Sequence, residues 1–293
     1  MTSFKKILSA MALVAQLAAA CDGGIAPMDT FLYTNDDGEK FEIDYFVDSS
    51  HDGGGSYGSK PAIIYFHGGS WVSGTREKIH QRYREVVLRH LLKKGFAVFS
   101  ADYGLVGLGR GHLDGTVADS RSAIDFVFSN AERLGIDTSK IGLWGSSAGA
   151  HLAMMAAFAD SATSKLVKFV VDDFGPVNIK EMFVMVPESV RVYISDFMFD
   201  MEVNNIATFD SVTAAFSPIN YNTNLPILIF HGEDDAVVDI SQSRQLHEKN
   251  PNNSHFITFS GNSHGLEKLD STQLDLYVKT FDNFLDTVIV NNR

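Results

Sequence analysis

The chain has 293 residues, 45% of them apolar and 20% charged, a balance that permits one large globular core. Its formal net charge of −12 argues against nucleic acid or an anionic membrane surface as a partner. The single cysteine, Cys21, excludes a disulfide within the chain and any metal site built on cysteines.

Residues 1–20 read as an export signal. Lys5 and Lys6 supply a positive start, and Ile7 to Ala20 is an uncharged run ending in Ala18-Ala19-Ala20. That run is too short to span a bilayer, which needs roughly 20 apolar residues. Cys21 then stands at the expected mature start, so plain secretion and lipid attachment at Cys21 both stay open. Only the second would bring a membrane into the list of partners. Residues 21–293 are expected to form one domain.

Phe31 to Tyr33 and Phe41 to Phe46 alternate apolar with polar around Asn35-Asp36-Asp37-Gly38, predicting an antiparallel hairpin. Ser49 to Lys60 is rich in glycine and serine and reads as a loop. Continuous apolar runs at Ala62–Phe66, Phe96–Ser100, Ile141–Trp144, Phe169–Phe174, Leu225–Phe230 and Phe256–Phe259 predict buried strands. Helical spacing fills Arg76–Leu92, with Tyr83, Val86, Val87 and Leu91 inward, and Val117–Leu134. Buried strands alternating with helices predict an α/β fold, a mostly parallel sheet covered on both faces.

Chemistry concentrates in the turns after four of those runs. Gly145-Ser146-Ser147-Ala148-Gly149 joins the strand at Ile141 to a small-residue helix, the G-x-S-x-G setting in which a sharp turn exposes a nucleophilic serine, Ser147. His67-Gly68-Gly69 follows the Ala62 strand, and the N–H groups of Gly68, Gly69 and Ala148 are the candidate oxyanion hole. His231-Gly232-Glu233-Asp234-Asp235 offers an orienting acid, Asp235 by spacing with Asp234 as the alternative. Asp239 fits the capping of the next helix instead. Gly261-Asn262-Ser263-His264-Gly265 offers the base, His264, beyond a strand end where α/β sheets bind ligands. The chain order Ser147, Asp235, His264 is that of α/β-hydrolases. His151 is expected to pack behind the turn, His67 and His231 to bond nearby backbone, and His247 and His255 to serve structure or surface. Met154 and Met155 read as core filling, and no cluster has metal-ligand spacing.

With those residues assembled, the chain resembles the α/β-hydrolase superfamily, and within it secreted carboxylesterases grouped with hormone-sensitive-lipase-like enzymes and acetylxylan/feruloyl esterases. The likeness runs over residues 40–285 on HGGSW (67–71), SADYGL (100–105), IDTSKIGLWGSSAGAHLA (136–153), SPINY (217–221), HGEDDAVV (231–238) and GNSHG (261–265). It implies Ser147 as nucleophile, His264 as base, Asp235 as orienting acid and no cofactor. Ser70, Ser146 and Ala150 depart from the HGGG and GDSAGG patterns of many relatives. The expected activity is hydrolysis of short-chain acyl esters, on a small ester or an acylated carbohydrate. An amidase or peptidase, or a non-catalytic binding member, are the other readings. The sequence leaves the oligomeric state open. The segment 176–222, with Phe183, Val184, Met185, Val186, Tyr193, Phe197, Met198 and Phe199, is expected to be a small cap insertion over Ser147, extension of the core being its alternative.

Overall fold

The computed structural model describes residues 24–48, 59–107, 111–183, 197–199 and 206–290. The export signal, Cys21, most of the glycine-rich loop, and Val184, Met185, Val186 and Tyr193 lie outside them. One eight-stranded sheet runs through the described residues: β1 (Asp29–Thr34), β2 (Lys40–Phe46), β3 (Lys60–Phe66), β4 (Ala97–Ala101), β5 (Ile136–Ser146), β6 (Val170–Asp173), β7 (Ile227–Gly232) and β8 (Ser254–Phe259). Their spatial order is β1-β2-β4-β3-β5-β6-β7-β8. β1 and β2 pair antiparallel, as does β2 with β4, and every other neighbour is parallel.

Both faces of the sheet are buried, and the strand residues show why their runs are apolar without interruption. Successive side chains point to opposite faces, so Ala62, Ile64 and Phe66 enter one core cluster while Ile63 and Tyr65 enter the other. Ile227 and Ile229 divide in the same way from Leu228 and Phe230. The helices α2 (Leu113–Ser129), α3 (Ala148–Ala159) and α5 (Ser241–Lys249) contribute to the first cluster. The second takes α1 (Tyr83–Lys93) and α6 (Ser271–Val290). α4 (Ile206–Ala215) sits in the segment between β6 and β7 and adds Phe209 to the first cluster.

Several predicted boundaries shift for identifiable reasons. The helix expected over Arg76–Leu92 is a 3₁₀ turn, Arg76–His80, followed by α1, and the break falls at Arg82, whose φ is +57°. Because α1 faces the sheet with Tyr83, Val87, Leu88, Leu91 and Leu92, Val86 lies on its far side and is 41% exposed rather than inward. The helix expected over Val117–Leu134 starts earlier and ends at Ser129, where the Asn130 side chain bonds the Phe126 carbonyl at 2.8 Å. A separate turn, Ala131–Leu134, leads to Gly135 in the left-handed region. β5 begins at Ile136, five residues before its apolar run, because Ile136 pairs with Lys60 while Asp137 to Ser139 carry polar, partly solvated side chains.

Candidate active site

The turn between β5 and α3 is set by close backbone approach. A Cβ on Gly145 would lie 2.3 Å from the Gly149 carbonyl oxygen, and one on Gly149 would lie 2.0 Å from that of Phe66. Only glycine allows helix α3 to press against the ends of β3 and β5 in this way. Between them Ser147 has φ +54° and ψ −121°, a conformation that costs a non-glycine residue about 1–3 kcal/mol. Its amide donates to the Asp173 carbonyl at 2.8 Å, tying the strained residue to β6.

Ser146 and Ser147 consequently face opposite ways. Ser146 is buried, its hydroxyl 3.2 Å from Asp173 Oδ2 and 3.3 Å from the Tyr65 hydroxyl. Ser147 Oγ lies 2.9 Å from His264 Nε2, and His264 Nδ1 lies 2.7 Å from Asp235 Oδ2. A carboxylate only accepts, so Nδ1 carries the ring proton and Nε2 is left bare to accept from the serine hydroxyl. The Phe174 ring stands edge-on to His264 at 5.0 Å, its own backbone at φ +46°.

Asp235 is buried and Asp234 is exposed, and only the former reaches His264. Oδ1 of Asp235 accepts the amides of Val237 and Val238, each at 2.9 Å. Oδ2 also lies 3.3 Å from His231 Nε2, which donates to the Val238 carbonyl at 2.8 Å while Ser243 donates to Nδ1 at 2.7 Å. Burial pushes this carboxyl up, but bonds from His231, His264 and Val238, with the charge of His264, outweigh it. They hold Asp235 well below the usual carboxylate range. Asp239, exposed, accepts the Ser241 amide at 2.8 Å at the start of α5.

The HGG turn lies against Ser147: a Cβ on Gly68 would come within 3.2 Å of the Ser147 Cβ. Among the described residues the amides of Gly68, Gly69 and Ala148 have no hydrogen-bond acceptor, which leaves them available beside the serine. Ser70 and Trp71 follow with φ of +54° and +62°. The Trp71 indole donates to His151 Nδ1 at 3.2 Å, and His151 Nε2 donates to the Phe216 carbonyl at 2.8 Å. His151 is thus a buried strut joining the HGG turn, α3 and the end of the segment after β6, and burial lowers its pKa to about 4. His67 is also buried, and burial lowers its pKa to about 3. His247 meets the Ser254 hydroxyl at 2.7 Å and His255 is exposed. Met154 and Met155 are core residues.

The acids at the end of β6 were not singled out in the sequence. Asp173 is fully buried and accepts from the Tyr83 hydroxyl (2.7 Å), the Trp144 indole (2.8 Å), Ser146 and the Tyr277 hydroxyl (2.7 Å). Asp172 accepts the Gly175 amide at 2.7 Å, and its other oxygen has no partner among the described residues. Burial pushes Asp172 up to about 7 against the Gly175 bond. Among the described residues no group of His, Cys, Asp and Glu could hold a metal ion.

In the segment between β6 and β7, Phe183, Met198, Phe199 and Phe209 are buried in the same cluster as β3 and α3. Phe183 packs on Phe209 and Phe199 on Phe216. These residues extend the core. Phe197 is only partly buried, and its ring lies on the backbone at Gly107, where a Cβ would come within 2.7 Å of it. That loop is tied to the HGG turn by the Val106 amide on the Trp71 carbonyl at 2.9 Å.

The family model BD-FAE matches residues 54–250. The chain is 27% identical to esterase LipC of Mycobacterium tuberculosis over 247 residues, covering 78% of this chain and 58% of that protein. It is 26% identical to isoprenylcysteine alpha-carbonyl methylesterase ICME of Arabidopsis thaliana over 216 residues, 69% of this chain and 48% of the relative. The chain therefore spans about half the length of the curated relatives it matches. A solved structure of esterase 2 of Thermogutta terrifontis with butyrate bound aligns at a TM-score of 0.69 and 22% identity, covering 91% of this chain and 95% of that one, a likeness of fold. With more than half of its length matched by that family model, and with this sheet and these helices, the chain belongs to the BD-FAE family and has the α/β-hydrolase fold.

Proposed function

We propose that this protein is a serine carboxylic-ester hydrolase, and the observation that carries the reading is the unbroken hydrogen-bonded run from Asp235 through His264 to Ser147. Ser147 Oγ attacks the ester carbonyl as His264 Nε2 takes its proton, and the charge forming on the carbonyl oxygen meets the amides of Gly68, Gly69 and Ala148. His264 then protonates the departing alcohol. Water, deprotonated by the same imidazole, releases the acid from the acyl-enzyme. Asp235 fixes the imidazole tautomer and balances the imidazolium. Residues 1–20 direct the enzyme out of the cytoplasm, with a mature terminus at Cys21 that mass spectrometry of the isolated protein would read.

The acyl group is short. The partly buried Phe197 beside the loop that holds Trp71 supports a small cap next to the site, and its aromatic neighbours are committed to the core. The similar Thermogutta protein binds butyrate. A series of p-nitrophenyl esters should give highest rates from acetyl to butyryl, with p-nitroanilides of the same acids turned over far more slowly. Palmitoyl esters faster than butyryl ones would overturn the short-acyl assignment, and anilides faster than esters would make the protein an amidase. Acetylated xylan and methyl ferulate, run alongside, test a polysaccharide substrate.

A further inference from the structure

The 3₁₀ turn Arg76–His80 begins eight residues beyond Gly68 and is firmly anchored. Arg76 bonds Glu42 (2.7 Å), Asp44 (3.0 Å) and Asp102 (2.7 Å), and its amide donates to Asp102 at 2.7 Å. Lys78 on the same turn is treated differently. It is partly buried, and among the described residues its Nζ has no carboxylate within ion-pair distance. Its hydrogen bond goes to the carbonyl oxygen of Gly68, at 2.9 Å.

That oxygen belongs to the same peptide unit as the Gly69 amide. The unit is trans, so its C=O and N–H point to opposite sides. A cation held on the oxygen draws electron density along the peptide and makes the N–H at the far end a stronger donor. His67 adds to the same effect. Its Nδ1 lies 3.1 Å from Gly68 O and 3.2 Å from the Tyr103 hydroxyl, which itself donates to the His67 carbonyl at 2.5 Å. The proton is therefore on Nδ1, which leaves Nε2 without a hydrogen-bond partner among the described residues. A partly buried cation without a counter-charge is costly, and a simple loop tether would not need one. We propose that Lys78 is a positioning residue: its ammonium, on the Gly68 carbonyl, fixes the Gly68–Gly69 peptide and strengthens the Gly69 N–H as an oxyanion donor. This rests on the acyl-transfer reading above.

The device has a built-in pH limit. Burial, and then the positive Arg84 on α1, pull the Lys78 ammonium down to about 8. Activity that depends on the cation is present below that pH and lost above it. The other charged groups facing Lys78 do not change state there. Arg84 stays charged, and buried His67 is neutral. Burial raises Glu77 on the same turn, but bonds from Thr75 and its own amide, with Arg76, hold it below its ordinary value.

Hydrolysis of p-nitrophenyl butyrate from pH 6 to 10 tests this with wild type, Lys78→Met and Lys78→Arg, each checked for folding by circular dichroism and thermal melting. The wild-type kcat should fall with a midpoint near 8. Lys78→Met should lose about 10- to 30-fold in kcat at pH 7, less than the removal of a donor, with KM nearly unchanged and no alkaline fall. Lys78→Arg, which keeps its proton throughout, should retain most of the activity and show no fall near 8. A folded Lys78→Met with wild-type kcat, or a fall near 8 that survives in Lys78→Arg, overturns the proposal. Should Lys78→Met fail to fold, the Arg variant alone decides. Unchanged variants of an active enzyme sink only the role of Lys78, whereas a wild type inactive on esters and anilides alike sinks the hydrolase reading with it.

Discussion

Two buried carboxylates flank the β5–α3 turn, and they differ in the kind of donor that holds each. Asp173, at the end of β6, is held by two phenols, an indole and the Ser146 hydroxyl. Asp235, at the end of β7, is held by two backbone amides and two imidazoles. Every donor on Asp173 keeps its proton near neutrality, and burial pushes Tyr83 and Tyr277 well above the ordinary phenol value. That cluster can brace the turn but cannot move a proton at pH 7. An imidazole, whose ordinary pKa is about 6.5, can take and give a proton near neutrality, so the same kind of buried acid beside it can assist a proton transfer. A buried, satisfied aspartate is therefore no sign of chemistry until its partner is known.

The largest break in that comparison comes from the two serines. Ser147→Ala should lower kcat/KM by at least about 10⁴-fold with the fold intact. Ser146→Ala should leave turnover within a few-fold of wild type, because its hydroxyl serves only the Asp173 cluster. A serine-directed organophosphonate should label Ser147 alone, as read by peptide mass spectrometry. Label on Ser146, or an active Ser147→Ala, would put the nucleophile elsewhere.

Next in size are the adjacent acids. Asp235→Asn removes the charge that balances the imidazolium and permits the wrong tautomer, an effect of about 10⁴ in kcat in a comparable triad. Asp234→Asn, at an exposed side chain, should cost less than about two-fold. Equal losses in steady-state assays of the two variants would detach Asp235 from its assigned role.

Much of this arrangement is legible in the sequence because the requirements are local. A strand buried on both faces must be apolar throughout, which marks the core of β3, β4, β5 and β7. A turn that brings Gly149 against Phe66 must use glycine, which marks G-x-S-x-G. What escapes is non-local. Asp172 and Asp173 look like the polar end of a strand, since the Tyr83 and Tyr277 hydroxyls that bury Asp173 are 90 and 104 residues away in the chain. Lys78 reads as one more charge on a polar turn until the fold lays it on Gly68. The early start of β5 is hidden because only Ile136 pairs with Lys60 before the register shifts, and the polar Asp137, Thr138 and Ser139 separate it from the apolar run at Ile141. Val86 misleads because its apolarity matches a helical stripe whose phase is set only when the helix begins at Tyr83.

The smallest expected effect tests the structural side of the comparison. Tyr277→Phe removes the hydroxyl that donates to Asp173 Oδ1 and leaves the ring stacked on Phe230 at 3.9 Å. Burial already raises the Asp173 carboxyl against the bonds from Tyr83, Tyr277 and Trp144, and losing one donor pushes it further the same way. Stability should drop by about 1–3 kcal/mol, the cost of leaving a buried acceptor unsatisfied. A carboxyl raised in the folded state keeps its proton longer there than in the unfolded chain. The deficit of Tyr277→Phe should therefore be smallest in acid, where the carboxyl is protonated in both states, and grow as pH rises through the folded value. Because the phenol touches Asp173 and not the His264–Ser147 pair, kcat at 25 °C should stay within about two-fold of wild type. Urea unfolding at pH 5 and pH 8, with initial rates on the same samples, separates the two readouts. A variant as stable as wild type but slow in turnover would reverse the assignment, making the Asp173 cluster part of the chemistry and not its support.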